Sequence, residues 1–316
     1  MRVVIESGIP FLQGVLEPYA QVDYLLPEMI NSQVVRDADA LFIRTRTRIN
    51  KELLSGSQVR FVATATIGYD HIDTAYCEAS GVQWVSCPGC NAQAVCDYVE
   101  EAMSTLKMGR LTVGVVGYGH VGKLVAEMAE RKGYRVLLSD PPLGLGMSLH
   151  EMVPQCDVLT FHTPLTHDGE HPTYHLCNGD ILRLCRPDVL IINAARGGVV
   201  DEQALLCAIN NQQSMLKYRT AIDCWEGEPA LNTELLKKVD LASFHIAGYS
   251  IQGKMTASEM CLKAFCEFFS LPILSINKKA VPLQGDSEGG WLQRISAQLK
   301  AVPEHFEQLR KTYRLR

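Results

Sequence analysis

Three polar residues that can do acid–base chemistry, Arg196, Glu228 and His245, follow short apolar runs of the sequence. Open α/β sheets bind ligands at the carboxyl ends of their strands, which is where such runs end. An arginine binds a carboxylate through its planar fork and polarises an adjacent oxygen. A histidine moves a hydroxyl proton, and a nearby glutamate raises its pKa by favouring imidazolium. The trio therefore predicts chemistry on a hydroxy acid, although Glu228 alone is also explained as a turn cap and Arg196 as a surface residue.

A glycine-rich turn supplies the second chemical signal. Gly117, Gly119 and Gly122 follow a β-branched run, and His120 and Val121 open the amphipathic segment that comes next. At this spacing the first glycine permits a tight turn, the second lets a pyrophosphate approach the backbone, and the third allows close helix–strand packing. The order of strand, turn and helix predicts a dinucleotide site at a helix N-terminus.

Asp140 ends the next apolar run, eighteen residues after Gly122. A carboxylate at this distance accepts hydrogen bonds from the adenosine ribose and repels a 2′-phosphate. The sequence therefore predicts NAD rather than NADP. The alternative is an aspartate that only opens the Pro141-Pro142 turn.

Composition places the chain among ordinary globular proteins. It has 316 residues, a length sufficient for two domains, and 47% of them are hydrophobic and 21% charged. The net charge of −5 offers no basic surface for nucleic acid. We find neither a signal-peptide pattern nor an apolar run long enough for a membrane span, so a cytoplasmic location is expected.

The eleven cysteines do not resemble a disulfide framework, because the count is odd and the spacing irregular. Reduced thiols in a reducing compartment fit better. The pair Cys87 and Cys90 matches a redox CxxC motif, but a Pro-Gly loop leading to a helix cap at Asn91 explains it as well. No second pair stands at zinc-site spacing, and no metal is expected.

Along the chain, short predicted strands alternate with helical segments. The predicted strands are 3–6, 21–25, 40–44, 61–64 and 82–86, then 113–116, 136–139, 158–161, 189–193, 220–223 and 241–243. The predicted helices are 91–106, 121–131 and 254–269. This order predicts an α/β fold with two doubly wound parallel-sheet domains, flavodoxin-like and Rossmann, and an active-site cleft between them. We expect a substrate-binding domain at 1–98 plus about 250–275, an NAD-binding domain at 99–249, and a C-terminal segment at 276–316.

Four motifs resemble the D-2-hydroxyacid dehydrogenase superfamily. They are the Gly117–Gly122 turn, the Ala-Ala-Arg-Gly-Gly loop around Arg196, Trp225–Pro229 and His245–Tyr249. The similarity runs from residue 1 to about 270. Together with Pro88-Gly-Cys-Asn91 and Phe161-His-Thr-Pro164, it implies oxidation of the C2 hydroxyl of 4-phospho-D-erythronate by NAD, in the biosynthesis of pyridoxal phosphate.

The resemblance also implies individual catalytic and cofactor roles. Arg196 is expected to bind the carboxylate and the C2 oxygen, His245 to take the hydroxyl proton, and Glu228 to orient His245. The remaining implied cofactor contacts are Asp140 at the ribose, Thr163 in the cofactor pocket, and Asp223 and Gly248 near the nicotinamide.

Substrate contacts are implied for Thr45, Thr66 and Tyr249. The substrate phosphate needs positive charge, and Arg44, Arg46 and Arg48 stand on alternating positions after a predicted strand. From this spacing they are candidates for the phosphate, although some are equally explained as surface arginines.

The chain departs from the superfamily pattern at its linker and its tail. The linker before Thr112 is short, and about forty-five residues follow Phe269, where relatives carry a longer dimerisation domain. We expect a loop after Val281, then one amphipathic helix over 291–309 that packs on a partner or on its own body, and a homodimer.

Two other functions share these motifs. Another superfamily enzyme, such as a 3-phosphoglycerate or simpler 2-hydroxyacid dehydrogenase, has the same core residues. An NAD-sensing binding protein uses the same fold without turnover, since fold does not fix function.

Overall fold

The computed structural model describes residues 1–106, 111–211, 216–278 and 290–315. These residues form two compact units. The first contains residues 1–91 and 249–278, and the second contains 92–248 and 290–315. The predicted boundary at residue 98 falls inside a helix that belongs wholly to the second unit.

The strands carry the labels β1 to β12 in chain order: Arg2–Glu6, Gln21–Leu25, Ala40–Ile43, Phe61–Thr64, Gln83–Val85, Thr112–Val116, Arg135–Asp140, Leu145–Gly146, Val158–Phe161, Val189–Asn193, Tyr218–Ile222 and Leu241–Ala242. The helices carry the labels α1 to α11: Lys51–Leu54, Thr74–Ser80, Ala92–Thr105, His120–Arg131, Leu149–Met152, Gly179–Leu184, Glu202–Asn210, Thr233–Lys238, Ile251–Phe268, Trp291–Ala301 and Phe306–Thr312.

The first unit is a five-stranded parallel sheet in the order β2-β1-β3-β4-β5. Every residue of β3 and β4 is buried, as expected for parallel strands covered on both faces. Helix α9 packs on this sheet through Phe265, whose ring lies 5.3 Å from that of Phe42. The strand order reverses between β1 and β3, which makes this the topological switch point of the sheet.

The second unit is a seven-stranded sheet in the order β12-β11-β10-β9-β6-β7-β8. All pairs are parallel except β7 with β8, which are antiparallel. The short edge strand β8 is not among the predicted elements. Two parallel sheets flanked by helices confirm the predicted α/β fold.

The prediction of one helix over residues 291–309 is wrong. Helix α10 ends at Ala301 and α11 begins at Phe306, with a 3-10 turn at Pro303–His305 between them. A proline within a helix lacks the N–H that the helix needs and collides with the preceding turn. The tail packs on its own unit, where Ser296 Oγ accepts a hydrogen bond from Ala242 N at 3.0 Å.

The loop predicted from Val281 lies outside the described residues, except for Gly290. Within the described ranges, no helix is long and apolar enough to cross a membrane.

Candidate active site

The glycine turn after β6 has a different constraint at each glycine. Gly117 has φ +89°, and a Cβ there would lie 2.8 Å from the carbonyl oxygen of His162. A Cβ on Gly122 would collide with the carbonyl oxygen of Gly117. Gly119 has no atom within 4 Å of the corresponding position. The turn is therefore closed by packing at its first and third glycines and open at the second, as a backbone that receives a pyrophosphate requires.

Asp140 lies beside this turn at the end of β7. Its Oδ2 accepts a hydrogen bond from Tyr118 N at 2.6 Å, and its Oδ1 accepts one from Leu143 N at 3.2 Å. Each carboxylate oxygen keeps a second lone pair for a further donor. The acid is thus fixed next to the glycine turn and can still accept hydrogen bonds from ribose hydroxyls.

Thr163 follows β9 on the other side of the turn. Its Oγ1 is buried and has no hydrogen-bond partner among the described residues, and its Cγ2 lies 3.0 Å from the position of a Cβ on Gly117. A buried hydroxyl without a partner is costly unless a ligand satisfies it. His120 and Val121 begin α4, so their backbone N–H groups belong to its unpaired first turn. This donor set, with the open Gly119, fits a dinucleotide.

The loop that carries Arg196 is joined to the loop that carries Glu228. Asn193 is 1% exposed, and its Nδ2 donates to the carbonyl oxygens of Arg196 at 3.0 Å and Cys224 at 3.2 Å. A Cβ on Gly197 would collide with the carbonyl of Trp225. Sequence reasoning missed Asn193, although a polar residue that ends a wholly apolar strand is a detectable signal.

His245 and Glu228 form a hydrogen-bonded pair. His245 Nδ1 lies 2.9 Å from Glu228 Oε2 and 3.1 Å from Oε1. Burial alone lowers the pKa of His245, but the contacts with the sulfur of Cys224 and with the carboxylate of Glu228 outweigh burial, so this pKa lies well above the usual histidine value. Burial likewise raises the pKa of Glu228, but His245 and the N–H of Trp225 bring it below its ordinary value.

The backbone of His245 is held in an unusual conformation by Asp223. His245 has φ +58°, a left-handed conformation rare for residues other than glycine. Asp223 is 1% exposed, and its carboxylate accepts hydrogen bonds from Ile246 N at 2.8 Å, Ala247 N at 2.9 Å and Ser243 Oγ at 2.7 Å. Asp223 thus fixes the turn that carries the histidine, and its predicted cofactor contact, like that of Gly248, stays a prediction.

The strand order of the second unit sets these residues in a row. The carboxyl ends of its parallel strands carry, from β7 across to β12, Asp140, Gly117, Thr163, Arg196 and His245. Ligands of open parallel sheets bind at this edge, next to the switch point between β6 and β9. The predicted cofactor and catalytic residues of this unit therefore share one edge of one sheet.

The predicted substrate residues lie in the first unit. Thr45 is exposed two residues after the end of β3, and Tyr249 precedes α9. Thr66 follows β4, and its Oγ1 donates to the carbonyl of Gly68 at 2.8 Å. No bound group tests these three positions, which remain predictions.

A second ionisable cluster near Glu228 was not anticipated. Glu202 begins α7, is 7% exposed, and accepts a hydrogen bond from Glu226 N at 2.6 Å. Burial raises the pKa of Glu202 to about 7, against the lowering effect of that hydrogen bond. The Glu226 carboxylate in turn lies 3.1 Å from His175 Nε2. The buried carboxyl therefore anchors the backbone of the loop that carries Glu228.

The Cys87-Pro-Gly-Cys90 segment is a turn in the first unit. Cys90 N donates to the carbonyl of Cys87, whose buried sulfur contacts the sulfur of Cys261 at 3.4 Å. Burial and the neighbouring Cys87 raise the pKa of Cys90 to about 12. Redox-active cysteines have lowered pKa values, so the geometry favours the structural interpretation.

Comparison with known proteins gives consistent matches. A family model described as D-isomer specific 2-hydroxyacid dehydrogenase, NAD binding domain, matches residues 90–247. The chain is 41% identical to an erythronate-4-phosphate dehydrogenase of Bacteroides thetaiotaomicron, over 100% of this chain and 97% of that protein. An Escherichia coli protein of the same name is 36% identical, over 99% of this chain and 91% of its own length.

The same fold occurs in solved structures. The NAD⁺-bound 3-phosphoglycerate dehydrogenase of Entamoeba histolytica superposes with a TM-score of 0.70 at 22% identity, covering 85% of this chain and 95% of that one. At this identity the likeness concerns the fold alone.

Proposed function

Because the chain belongs to the D-isomer specific 2-hydroxyacid dehydrogenase family, we propose that it oxidises 4-phospho-D-erythronate at C2 with NAD, giving 3-hydroxy-2-oxo-4-phosphooxybutanoate. This is a step of pyridoxal phosphate biosynthesis. The observation that carries the proposal is the His245–Glu228 pair at the ligand-binding edge of the sheet that holds the glycine turn. The full-length similarity to erythronate-4-phosphate dehydrogenases supports this substrate.

NAD, when bound, supplies the acceptor for the hydride that leaves C2. The turn of Gly117, Gly119 and Gly122 with the first turn of α4 would hold its pyrophosphate, and Asp140 would hold the adenosine ribose. The buried hydroxyl of Thr163, which has no hydrogen-bond partner among the described residues, would form a hydrogen bond with the same cofactor.

His245 acts as the general base for the C2 hydroxyl. In the neutral ring, Nδ1 faces Glu228 and carries the proton, so Nε2 presents its lone pair to the substrate. Glu228 fixes the ring and stabilises the imidazolium that forms. Arg196 binds the carboxylate and the C2 oxygen, where it favours the developing carbonyl.

The first unit supplies the remaining substrate contacts. We assign Thr45, Thr66 and Tyr249 to substrate binding, following the family pattern. A dehydrogenase of a simpler hydroxy acid has no use for a phosphate site, so substrate comparison is the decisive test.

Turnover is measured as NADH absorbance with erythronate 4-phosphate, 3-phosphoglycerate and D-lactate in parallel. We expect the first to be the preferred substrate. Preference for either of the others would assign a different dehydrogenase, and NAD binding without turnover of any of them would favour a sensor. His245→Ala should lower kcat by roughly 10²–10⁴ and leave NAD affinity unchanged.

We assign a homodimer and a cytoplasmic location to this enzyme. The family pattern supports the dimer, and the eleven free cysteines are compatible with a reducing compartment. Sedimentation that shows a monomer across micromolar concentrations would contradict the dimer.

A further inference from the structure

The switch point of the first unit holds one positively charged side chain, and a second lies on α9, the helix that contacts the loop after β1. Arg44 comes directly after β3 and Gly8 comes shortly after β1, the two strands between which the order reverses. A Cβ on Gly8 would lie 3.4 Å from Arg44 Nη1, so this guanidinium lies over the Gly8 backbone. In open α/β sheets this crevice is the usual position of a ligand.

Lys254 is the second cation, and it lies in the first turn of α9. Its side chain is half-buried. One helical turn further along α9, Ser258 Oγ donates to the carbonyl oxygen of Pro10 at 2.8 Å, so this face of the helix lies against the loop that carries Gly8. Burial, and then the charge of Arg44, lower the pKa of Lys254 to about 8. Two like charges in a half-buried position repel each other, so this arrangement costs free energy in the absence of an anion.

No described residue supplies that anion as an ion-pair partner. Elsewhere in the unit, Arg2 pairs with Asp23 and Arg60 pairs with Asp39, each within 3 Å. Among the residues that the structure describes, the side chains of Arg44 and Lys254 form no ion pair or hydrogen bond.

The carboxylate that faces this position is that of Glu6. Its Oε2 is occupied by Arg44 N at 2.8 Å and Thr47 Oγ1 at 3.0 Å. Its Oε1 lies 3.7 Å from the position of a Cβ on Gly8. Glu6 therefore fixes the backbone of Arg44. Its single negative charge does not balance the two positive charges of Arg44 and Lys254, so the position keeps a net positive charge.

We propose that Lys254 and Arg44 together bind the phosphate of the substrate, and that Lys254 makes the enzyme selective for phosphorylated hydroxy acids. The inference rests on the proposed function. A phosphomonoester carries nearly two negative charges and three acceptor oxygens, which match one guanidinium and one ammonium. Arg46 and Arg48 are exposed, so of the three arginines the structure favours Arg44.

The test is Lys254→Gln, with Lys263→Gln as the matched control. Lys263 lies on the same helix, exposed, with Glu267 as its partner at 3.8 Å. We expect Lys254→Gln to raise KM for erythronate 4-phosphate roughly 10- to 100-fold, the range for a lost charged hydrogen bond, with kcat little changed. Lys254→Arg should restore most of the affinity. Lys263→Gln should behave as the wild type.

Calorimetric titration with inorganic phosphate makes the test independent of turnover. Lys254→Gln should weaken phosphate binding by a similar factor. Unchanged phosphate binding and unchanged KM in this variant would overturn the inference while the proposed function stands. A different outcome would separate the two in the other direction. If the wild type turns over none of the substrates but binds phosphate, and Lys254→Gln abolishes that binding, the phosphate site stands and the proposed function is refuted.

The wild-type protein offers a further measurement, with Lys254→Gln as its control. Near pH 8.5 part of the free enzyme holds Lys254 neutral, and a bound dianion raises its pKa again, whereas Arg44 stays charged. Phosphate binding at this pH should therefore take up protons, seen as a dependence of the calorimetric enthalpy on buffer ionisation. Proton uptake that persists unchanged in Lys254→Gln would overturn the assignment of Lys254.

Discussion

The carboxylate of Glu228 straddles Nδ1 of His245, with Oε2 at 2.9 Å and Oε1 at 3.1 Å. Oε1 also accepts a hydrogen bond from Trp225 N at 2.9 Å, so the acid cannot rotate away without losing a second contact. The histidine ring is therefore held in one orientation and one tautomer. Its other nitrogen is available for the substrate hydroxyl.

Glu228→Gln should separate this orienting effect from simple packing. Removal of the carboxylate lowers the pKa of His245, and an amide N–H facing Nδ1 favours the wrong tautomer. We expect kcat to fall by roughly 10²–10⁴. Oxidation needs neutral His245, so the limb of the pH profile that rises towards alkaline pH should move to lower pH. The measurement is kcat/KM against pH at saturating NAD.

The exposed Glu234→Gln on α8 is the control for this experiment. A limb that stays in place in Glu228→Gln would mean that another group titrates in the profile.

Gly119→Ala and Gly122→Ala should affect different properties, although both lie in the glycine turn: the first should lower NAD affinity and the second should lower stability. The methyl group at 122 collides with the carbonyl of Gly117, so this variant should lose thermal stability. The methyl group at 119 meets no protein atom within 4 Å, so the fold should keep its melting temperature. NAD affinity should nevertheless fall by roughly tenfold or more, because the pyrophosphate approaches there. Melting curves and NAD titrations of both variants decide, and a Gly119→Ala protein with wild-type NAD affinity would contradict the assignment.

The sequence predicted those parts of the molecule that depend on local pattern. Short runs of buried residues such as Val158–Phe161 coincide with strands because parallel strands are buried on both faces. Strand β8 was missed because a two-residue strand has no periodicity. Pro303 marks the end of a helix in the sequence, but the amphipathic pattern continues past it and led to the prediction of a single helix.

In the site, the glycine turn and the positions of Arg196, His245 and Glu228 at strand ends were predictable from sequence. The residues that fix the loops were not. Asn193 contacts a carbonyl 31 residues away, and Glu202 contacts an N–H 24 residues away. Such partners are defined by the fold and leave no spacing signal.

Asp140→Asn should relax the choice of cofactor. The side-chain oxygen can still accept from Tyr118 N, so the turn should keep its shape. The lost charge weakens the hydrogen bonds to the ribose and removes the repulsion of a 2′-phosphate. We expect the ratio of kcat/KM for NADP to that for NAD to rise roughly tenfold, a shift of one charged contact. An unchanged ratio would mean that Asp140 only shapes the turn.

Glu202→Gln should stabilise the protein in alkaline solution. Burial raises the pKa of Glu202 to about 7 in the folded protein, above the unfolded value of 4.5. Its ionisation therefore costs no stability below pH 4.5, costs progressively more as the pH rises towards 7, and costs its full amount above 7. Glutamine stays neutral and its oxygen still accepts from Glu226 N. We expect a gain on the order of 3 kcal/mol at pH 8 and little change at pH 5. Urea unfolding at both pH values measures it, with the exposed Glu130→Gln as control, and a variant less stable than wild type at pH 8 would refute the neutral-carboxyl account.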